Sequence, residues 1–596
     1  MYVCALRPRG ESLSKADVFG YITRLKRDGA SLHSIVEGPF AAVAAERPGQ
    51  HRKMLGRFGG LIGAGDVRLD NRSEVAGLAG VSAQAHTDLE LVLAAIDRRG
   101  EGVIPRLLGD FAFVCWDARA QKLLAVRDAF GVRPLYRRAA PGLQLFSSDI
   151  EPLRIDESYD FEYIADFLSG QTAGLEATVW RGITPIAAGS LVRQRGTVQS
   201  PERYWRAEEF VPAEDGDEEE NCQRFRSLLE ESVQSRVEGA EETWAHLSGG
   251  LDSSSIVALS NAAGVEDRRI VNTITIVDTL GEGDERAYSD TVVQRYDLRN
   301  EQVRDYWAWQ DDGEAPPMTD QPSPLYPFHA RDRRAWNTVR QAGGRVLLSG
   351  FGADQYLHGN LDYITDLAAK GRIRDAVGEV TAWSVAMRQS FWSVGRRYLL
   401  DPFLSRSGQR VERPHWLAPS FAGCTGTGSR MAGSHRFARQ ITANLNALPA
   451  WLERWPYGHE IEMRYPFLYR PLVEASLRLP ATQRVRPNAR KWILRQATRD
   501  VLPEQVRMRS TKGGIDARIL WSLHREKPRL DAMLRDPILA QLGCIDAGAL
   551  RRAVDEARRG IAVNNVQLFS ALALETWLSV RNGVHTGAAE LTVSAA

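Results

Sequence analysis

The chain has 596 residues, of which 43% are hydrophobic and 25% are charged, close to the averages for globular proteins. This composition excludes disorder, collagen and coiled coil as the dominant state, and at roughly 100–200 residues per domain the length predicts two to four domains. The 76 basic and 75 acidic residues balance, which argues against a global attraction to nucleic acid or to an acidic membrane.

Five cysteines are spread along the chain without the paired spacing of a disulfide framework or a zinc site, so we interpret them as reduced thiols. No apolar run reaches the ~18 residues of a membrane span, and the start of the chain lacks a signal-peptide pattern. We therefore expect a cytoplasmic protein without an integral membrane segment. Only eight of the basic residues are lysines, so a lysine within a motif is seldom there by chance.

Short β-runs broken by glycine and proline dominate the first third of the chain. The 107–117 run predicts a buried strand, 122–128 predicts its hairpin partner, and Thr87 predicts a cap ahead of an apolar helix. The pattern predicts an antiparallel α+β layer, which we assign to residues 1–207. The acidic, apolar-poor stretch at 208–220 is interpreted as a linker, or alternatively as the solvated start of a helix.

From residue 221 onward, helix and strand patterns alternate, which predicts a parallel, doubly wound sheet. The predicted helices cover 222–239, 253–263 and 331–342, and the predicted strands cover 243–247, 269–277 and 345–348. The C-terminal region is mostly helical. We therefore assign 221–596 to a second domain, of the α/β class with a helical C-terminal region.

The most informative segment runs from His246 to Ser255, where a predicted strand ends in Gly-Gly and Asp-Ser-Ser opens a predicted helix. Glycines let the backbone approach a ligand, and free N–H groups at a helix start attract anions. Asp252 offers a hard oxygen to Mg²⁺, while the lysine of a Walker loop is missing. The alternative is an ordinary glycine-rich turn capped by serines. The predicted pyrophosphate-binding residues are Leu247, Ser248, Gly249, Gly250, Asp252, Ser253 and Ser254.

This Ser-Gly-Gly-x-Asp-Ser pattern resembles the pyrophosphate loop of the ATP pyrophosphatases, enzymes that cleave ATP between the α and β phosphates. A second segment, Ser-Gly-Phe-Gly-Ala-Asp-Gln at 349–355, resembles the Ser-Gly-x-Gly-Ala-Asp-Glu stretch of the asparagine synthetase family, although its last residue replaces a glutamate. The resemblance implies ATP and Mg²⁺ as cofactors, with Asp354 as the second Mg²⁺ ligand beside Asp252. The further ATP contacts that it implies are Ser349, Gly350 and Ile276.

The 453–468 stretch is similar to the family's Asp-Arg-Met…Glu-x-Arg-x-Pro-Phe-Leu-Asp stretch, with Tyr469 in place of the last aspartate. We interpret Glu462 and Arg464 as a buried ion pair that holds a turn. Glu453 is the candidate acceptor of the proton that an attacking amine releases, and we count it with the catalytic residues.

Between Arg484 and Lys512 lie nine basic and two acidic residues, a composition that also fits a solvated basic face. The run matches the family's Lys-x-x-Leu-Arg segment and a lysine that follows it. In the family the later lysine contacts the ATP phosphates and the transition state. The resemblance therefore makes Lys512 the candidate catalytic lysine and assigns Lys491 to the ATP site. The spacing Arg-x-x-Lys differs from the family's common Arg-x-Lys.

The first domain resembles the glutaminase domain of asparagine synthetases, a sandwich of the N-terminal-nucleophile type, at 109–113 and 127–136. That glutaminase uses a cysteine at position 2 as nucleophile and its terminal amine as base. Here position 2 is Tyr2, and Cys4 carries an amide nitrogen that is no base. Arg68 stands where a glutamine-binding carboxylate is expected. We therefore expect this domain to be degenerate and inactive as a glutaminase.

If ammonia is not made in this chain, another amine should resolve the activated carboxylate. Two groups combine a lost glutaminase with a working synthetase: the lasso peptide cyclases, and the β-lactam or carbapenam synthetases. The length, a C-terminal helix at 566–578 and the contexts of 284–286 and 511–513 favour a cyclase. Phe351 stands where β-lactam synthetases carry a tyrosine, and a peptide α-amine with a pKa of about 7.7–8.0 needs a weaker base.

The sequence thus predicts an ATP-dependent, AMP-forming carbon–nitrogen ligase. As a lasso peptide cyclase it would adenylate an Asp or Glu side chain of a leaderless precursor peptide and close a macrolactam with the N-terminal amine. The expected partners are the precursor peptide, a leader-binding protein and a leader peptidase, with no nucleic acid. A β-lactam or carbapenam synthetase, an ammonia-dependent asparagine synthetase relative and a non-catalytic scaffold are the alternatives.

Overall fold

The computed structural model describes residues 1–22, 30–46, 52–170, 177–213, 216–237, 242–262, 271–280, 284–404, 413–421, 436–452, 461–510, 513–561 and 563–583. The chain divides into two compact units, which are described in turn. The first comprises Met1–Tyr163, Thr172–Glu209 and Leu445–Leu452, and the second comprises Ile164–Gln171, Phe210–Asn444 and Glu453–Ala596.

In the part of the first unit that the structure describes, the strands form two six-stranded antiparallel sheets. The strands are β1 Tyr2–Leu6, β2 Ser31–Glu37, β3 Phe40–Glu46, β4 Leu55–Phe58, β5 Leu61–Leu69, β6 Gly109–Asp117, β7 Lys122–Arg127, β8 Tyr136–Ala140, β9 Leu143–Ser147, β10 Thr184–Pro185, β11 Ser190–Arg195 and β12 Val198–Arg203. Their orders are β10-β8-β9-β1-β3-β2 and β12-β11-β7-β6-β5-β4. The first helices of the chain are α1 Lys15–Ile22, α2 Arg72–Ala79, α3 Asp88–Arg99 and α4 Phe161–Leu168.

Strand β6 is buried on both faces, which explains its uninterrupted apolar run. Phe111, Phe113 and Cys115 pack in a core with α2 and α3, whereas the alternate residues of β6 pack in a second core with β1 and β3. Helix α3 begins with a capping box, in which the Thr87 side chain accepts from the Glu90 amide. The predicted hairpin, the predicted helix and the α+β sandwich are therefore confirmed.

The second unit contains a five-stranded parallel sheet, counted over the residues with a described structure. Its strands are β13 Thr243–His246, β14 Asn272–Ile276, β15 Asn300–Val303, β16 Val346–Leu348 and β17 Glu462–Arg464, in the order β15-β14-β13-β16-β17. A separate antiparallel ribbon pairs β18 Val485–Arg486 with β19 Ala489–Arg490. The doubly wound parallel sheet that the sequence predicts is confirmed.

Helices follow most of these strands and fill the C-terminal region, as predicted. The helices after β12 are α5 Glu218–Val237, α6 Leu251–Asn261, α7 Arg286–Tyr296, α8 His329–Gln341, α9 Ala353–Tyr356, α10 Asp362–Ala369, α11 Ile373–Met387, α12 Phe391–Gly395, α13 Asp401–Leu404, α14 Arg436–Asn446, α15 Leu448–Trp451, α16 Arg470–Arg478, α17 Ala481–Arg484, α18 Trp492–Ala497, α19 Glu504–Arg507, α20 Asp516–Arg525, α21 Lys527–Met533, α22 Ile538–Gln541, α23 Ala547–Arg558 and α24 Asn565–Arg581. No described helix combines the length and the apolar character that crossing a membrane requires.

Helix α5 begins at Glu218, inside the stretch that the sequence suggests as a linker. The solvated helix start that the sequence offers as the alternative is confirmed, since Glu219 and Glu220 are exposed. Glu218 forms an ion pair with Arg486 and accepts a hydrogen bond from Trp492 Nε1 at 2.6 Å. This helix start is therefore also tied to the basic run of the same unit.

Candidate active site

The loop after β13 turns sharply and packs against the start of α7. At Gly249, φ is +75°, a left-handed conformation that glycine adopts without strain. A Cβ atom at this position would lie 2.9 Å from the carbonyl oxygen of Glu285 and 2.9 Å from the amide nitrogen of Ser289. The turn and the close approach of α7 therefore both require glycine here.

Serine hydroxyls fix the shape of this loop. Ser253 Oγ accepts from the Ser248 amide at 3.2 Å, and Ser248 Oγ accepts from the Gly250 amide at 3.3 Å. Leu247 and Ser254 are buried beside them. Helix α6 starts immediately after the loop, so its first amide groups and the positive end of its dipole lie at the carboxyl edge of the sheet. This arrangement is suited to hold phosphate groups.

A second loop reaches the same edge from the neighbouring strand β16. Strands β13 and β16 pair in parallel, so their following loops leave from one edge of the sheet. The Ser349 amide donates to the carbonyl oxygen of Arg464 at 3.0 Å. A Cβ atom at Gly350 would lie 2.9 Å from the Ser253 amide nitrogen, so the two loops touch through main-chain atoms. The second loop leads into α9, which carries Asp354.

Lys491 brings the two predicted metal ligands together. Its Nζ atom lies 2.5 Å from Asp252 Oδ2 and 2.6 Å from Asp354 Oδ1, and the residue is 7% exposed. Its backbone is left-handed, with φ of 57°, at the junction of β19 and α18. One buried ammonium group thus lies between two carboxylates and offsets part of their mutual repulsion.

The pair of carboxylates fits a magnesium ion. Mg²⁺ is usually bound through one or two carboxylates, with substrate phosphates and water as the other ligands. Asp252 and Asp354 supply two such groups, and no cluster of three His, Cys, Asp or Glu side chains suited to a metal occurs among the residues whose placement is described. His358 Nδ1 lies 3.6 Å from Asp354 Oδ1, a neighbour that no sequence pattern indicated.

Part of the basic run is buried and donates hydrogen bonds to main-chain carbonyl oxygens. Arg495, which follows Lys491 by about one helical turn, is buried. It donates to the carbonyl oxygens of Arg490 at 2.8 Å and of Arg509 at 2.9 Å, and it also bonds the carbonyl oxygen of Arg507. Arg495 thereby joins the segment of Lys491 to the segment that precedes Lys512. Its place in the Lys-x-x-Leu-Arg pattern was the only signal for this role.

The remaining predicted residues have different outcomes. Glu453 and Lys512 lie outside the described residues, so their catalytic roles stay predictions. Ile276 is half-buried at the end of β14, the strand beside β13. Glu462 and Arg464 form the expected ion pair, with 3.1 Å between Oε2 and Nη2.

The first unit buries the side chain at position 2 and two cysteines. Tyr2 is fully buried, and its hydroxyl donates to the carbonyl oxygen of Ala112 at 2.9 Å. Burial raises the pKa of the Cys115 thiol to about 12 and the pKa of the Cys4 thiol well above its ordinary value. Because the thiolate is the nucleophilic form, neither cysteine is suited to attack an amide at neutral pH.

Two protein families match the chain. Residues 224–579 match asparagine synthase, and residues 71–205 match a glutamine amidotransferase domain. The chain belongs to the asparagine synthase family. Members of the asparagine synthase family are ATP-dependent amide ligases, and the chain is an enzyme of this class. Its first unit is an amidotransferase-type sandwich, and its second unit is the synthase domain.

Named relatives match this asparagine synthase family member over most of both chains. A protein of Mycobacterium bovis, provisionally named a glutamine-hydrolyzing asparagine synthetase, is 24% identical over 86% of this chain and 82% of its own. Amidase chyE of Penicillium rubens is 23% identical over 79% of each chain. Asparagine synthetase (glutamine-hydrolyzing) 1 of Bacillus subtilis is 22% identical over 73% of this chain and 72% of its own.

Proposed function

We propose that the chain is a lasso peptide cyclase, which adenylates an Asp or Glu side chain of a leaderless precursor peptide and joins it to the peptide's N-terminal amine. A contrast within the chain carries the proposal. Asp252, Asp354 and Lys491 meet beside the nucleotide loop, whereas the two cysteines of the amidotransferase-type unit are buried. A synthetase without its own ammonia source requires another nitrogen nucleophile, either an amine or free ammonia. A peptide α-amine is partly neutral at cellular pH and therefore suits this role.

In the first proposed step, a carboxylate oxygen of the peptide attacks the α-phosphorus of ATP. The bond from the α-phosphorus to the bridging oxygen breaks, and pyrophosphate leaves. The loop Ser248–Ser254 and the start of α6 bind the phosphates through amide groups and hydroxyls. Mg²⁺, held by Asp252 and Asp354, would neutralise charge on the leaving pyrophosphate. Lys491 orients the two carboxylates, and we assign a phosphate contact to Lys512.

In the second proposed step, the amine nitrogen attacks the acyl carbon of the peptidyl adenylate. The bond from this carbon to the AMP oxygen breaks, and the amine gives up a proton, for which Glu453 is the proposed acceptor. The protein contributes orientation and charge stabilisation. A leader-binding protein and a leader peptidase are the proposed partners, because the amine must be freed from a leader before it can react.

The names of the relatives support a second candidate, the ammonia-dependent amidation of a small amino acid. Two of the relatives are named asparagine synthetases. A chain with a lost glutaminase would then take free ammonia. A β-lactam or carbapenam synthetase is a further alternative. There the attacking amine belongs to the same small molecule as the activated carboxylate.

The test is an incubation of the purified full chain with ATP, Mg²⁺ and a leaderless precursor peptide. The expected result is AMP release that depends on the peptide, together with a peptide product that has lost one water. AMP release with aspartate plus ammonia, but not with the peptide, would support the second candidate and contradict the first. Hydrolysis of glutamine by the purified chain would contradict the loss of the glutaminase on which both candidates depend.

A further inference from the structure

Glu285 precedes α7. Its carboxylate binds Arg509 and Gly513, which lie before and after the predicted catalytic residue Lys512 in the sequence. Glu285 Oε1 accepts from Arg509 Nη2 at 2.6 Å and from the Gly513 amide at 3.0 Å. The exposed fraction of the side chain is 18% for Glu285 and 7% for Arg509. Charge-assisted hydrogen bonds of this kind are short and geometrically specific. The carboxylate therefore holds both Arg509 and Gly513.

The same arginine also contacts the nucleotide loop. Arg509 Nη1 lies 3.4 Å from the Gly249 carbonyl oxygen, and the guanidinium group lies 4.1 Å from the centre of the Tyr288 ring in α7. The carbonyl oxygen of Glu285 faces Gly249 at a distance that leaves no room for a Cβ atom. The nucleotide loop, the start of α7 and Arg509 therefore meet at one ion pair.

Arg495 links this ion pair to Lys491, which lies between the two aspartates. That guanidinium donates to the carbonyl oxygen of Arg509 and to the carbonyl oxygen of Arg490, the residue before Lys491. A displacement of Arg509 is therefore transmitted to the segment that holds Lys491 between the two aspartates. Glu285 acts on the reacting groups through these residues.

We propose that Glu285 is a positioning residue for adenylation, which fixes Arg509 and Gly513 against the nucleotide loop. The proposal rests on the adenylating function proposed above. Glutamine at this position keeps an acceptor oxygen without the negative charge, and alanine keeps neither. Because a misplacement of about 1 Å can lower a rate about 100-fold, we expect the change in kcat to exceed the change in KM for ATP.

The kinetic test compares Glu285→Ala, Glu285→Gln, Arg509→Ala and the double alanine variant. Glu301→Ala serves as the matched control, because Glu301 is a more exposed carboxylate that is ion-paired with Arg299. We expect Glu285→Ala to lower kcat for AMP release about 30–100-fold, with KM for ATP changed less than about threefold. We expect Glu285→Gln to be intermediate, the double variant to be no slower than the slower single variant, and the control to match wild type.

Hydrogen–deuterium exchange supplies a readout that needs no substrate. We expect faster exchange at the Gly513 amide in Glu285→Ala and unchanged exchange in the strands of the parallel sheet. Wild-type kcat in Glu285→Ala would overturn the proposal, as would losses that multiply in the double variant. Faster exchange throughout the sheet, with equal kcat losses in the alanine and glutamine variants, would overturn it in favour of a general structural role. A wild-type chain that never releases AMP would instead overturn the proposed function, and exchange at Gly513 would still report whether the anchor exists.

Discussion

The two units of the chain use buried charge in different ways. In the amidotransferase-type unit, Arg68 lies in β5 and is ion-paired with Asp110 at 2.8 Å, both inside the unit. In the synthase unit, Asp252 and Asp354 meet across Lys491 at the sheet edge where α/β proteins bind ligands. In the first unit this arginine and its carboxylate partner satisfy each other inside the sandwich. In the second, two carboxylates share one ammonium group at the sheet edge, so the same kind of buried charge is placed where a ligand can reach it.

Thiol labelling directly tests whether the amidotransferase-type unit buries its cysteines. With a thiol pKa of about 12, Cys115 at pH 8 has a thiolate fraction about 10³-fold below that of an ordinary cysteine. We expect iodoacetamide to label Cys115 at least about 10³-fold more slowly in the native chain than in the denatured chain, and we expect Cys4 to be labelled more slowly as well. Peptide-resolved mass spectrometry measures both rates in one sample. Rapid native labelling of either cysteine would show that this unit still exposes a nucleophile.

Removal of one carboxylate tests the other side of the comparison. We expect Asp252→Asn and Asp354→Asn each to lower the rate of AMP release about 10²–10³-fold, because the charge that holds Mg²⁺ is reduced. Asp375→Asn is the control, since Asp375 is an exposed carboxylate in α11 that is paired with Arg372. Turnover by the two site variants at the wild-type rate would contradict the proposed adenylation.

Replacement of Lys491 by methionine tests the charge balance of the synthase unit, because it leaves the two carboxylates without their ammonium partner. We expect the free energy of unfolding to fall by about 2 kcal/mol in the absence of metal, a moderate loss since Asp354 is partly hydrated. Added Mg²⁺ should raise the melting temperature of Lys491→Met more than that of wild type, because the ion relieves the same repulsion. Thermal unfolding with and without Mg²⁺ measures this difference. Equal shifts of the melting temperature in both proteins would contradict the expectation that Mg²⁺ and the Lys491 ammonium group relieve the same repulsion.

A buried carboxylate in the synthase unit can also be purely structural, and Glu575 in α24 supplies the contrast. Its oxygens accept from the Ile538 and Leu539 amides at 2.8 and 3.0 Å, and burial raises its pKa to about 7. The folded state therefore binds a proton that the unfolded state releases near pH 4.5, so this group loses stabilisation as the pH rises from about 4.5 to about 7.

We expect the stability of wild type relative to Glu575→Gln to decrease by about 2–3 kcal/mol between pH 5 and pH 8, with AMP release little changed. Denaturant unfolding at both pH values measures the difference, and Glu220→Gln, an exposed position in α5, is the control. A difference between wild type and Glu575→Gln that does not vary with pH would show that this carboxyl group titrates normally.

The parts of the site that the sequence predicts are those encoded locally. The nucleotide loop has glycine and serine at fixed offsets because one turn and one helix start require them. The strand pattern likewise places this loop at the edge of a parallel sheet. Strand β6 can also be predicted from the sequence, because a strand buried on both faces has an uninterrupted apolar run.

The parts that the sequence does not reveal depend on contacts between distant segments. Lys491 and Asp252 are 239 residues apart, and Glu285 and Arg509 are 224 residues apart, so no spacing rule joins them. The partners of Glu218 were hidden for the same reason. The sequence allowed a solvated helix start, but it gave no sign of Arg486 and Trp492, which lie more than 250 residues later in the chain.

The contact at Gly350 has a mechanical consequence. Its α-carbon faces the Ser253 amide so closely that the loops after β13 and β16 abut backbone to backbone, with no rotatable side chain between them. A substrate that pushes on the first loop must also push on the second. The two loops that lead to the acidic groups are thus coupled through their main chains, and even an alanine at position 350 would push them apart.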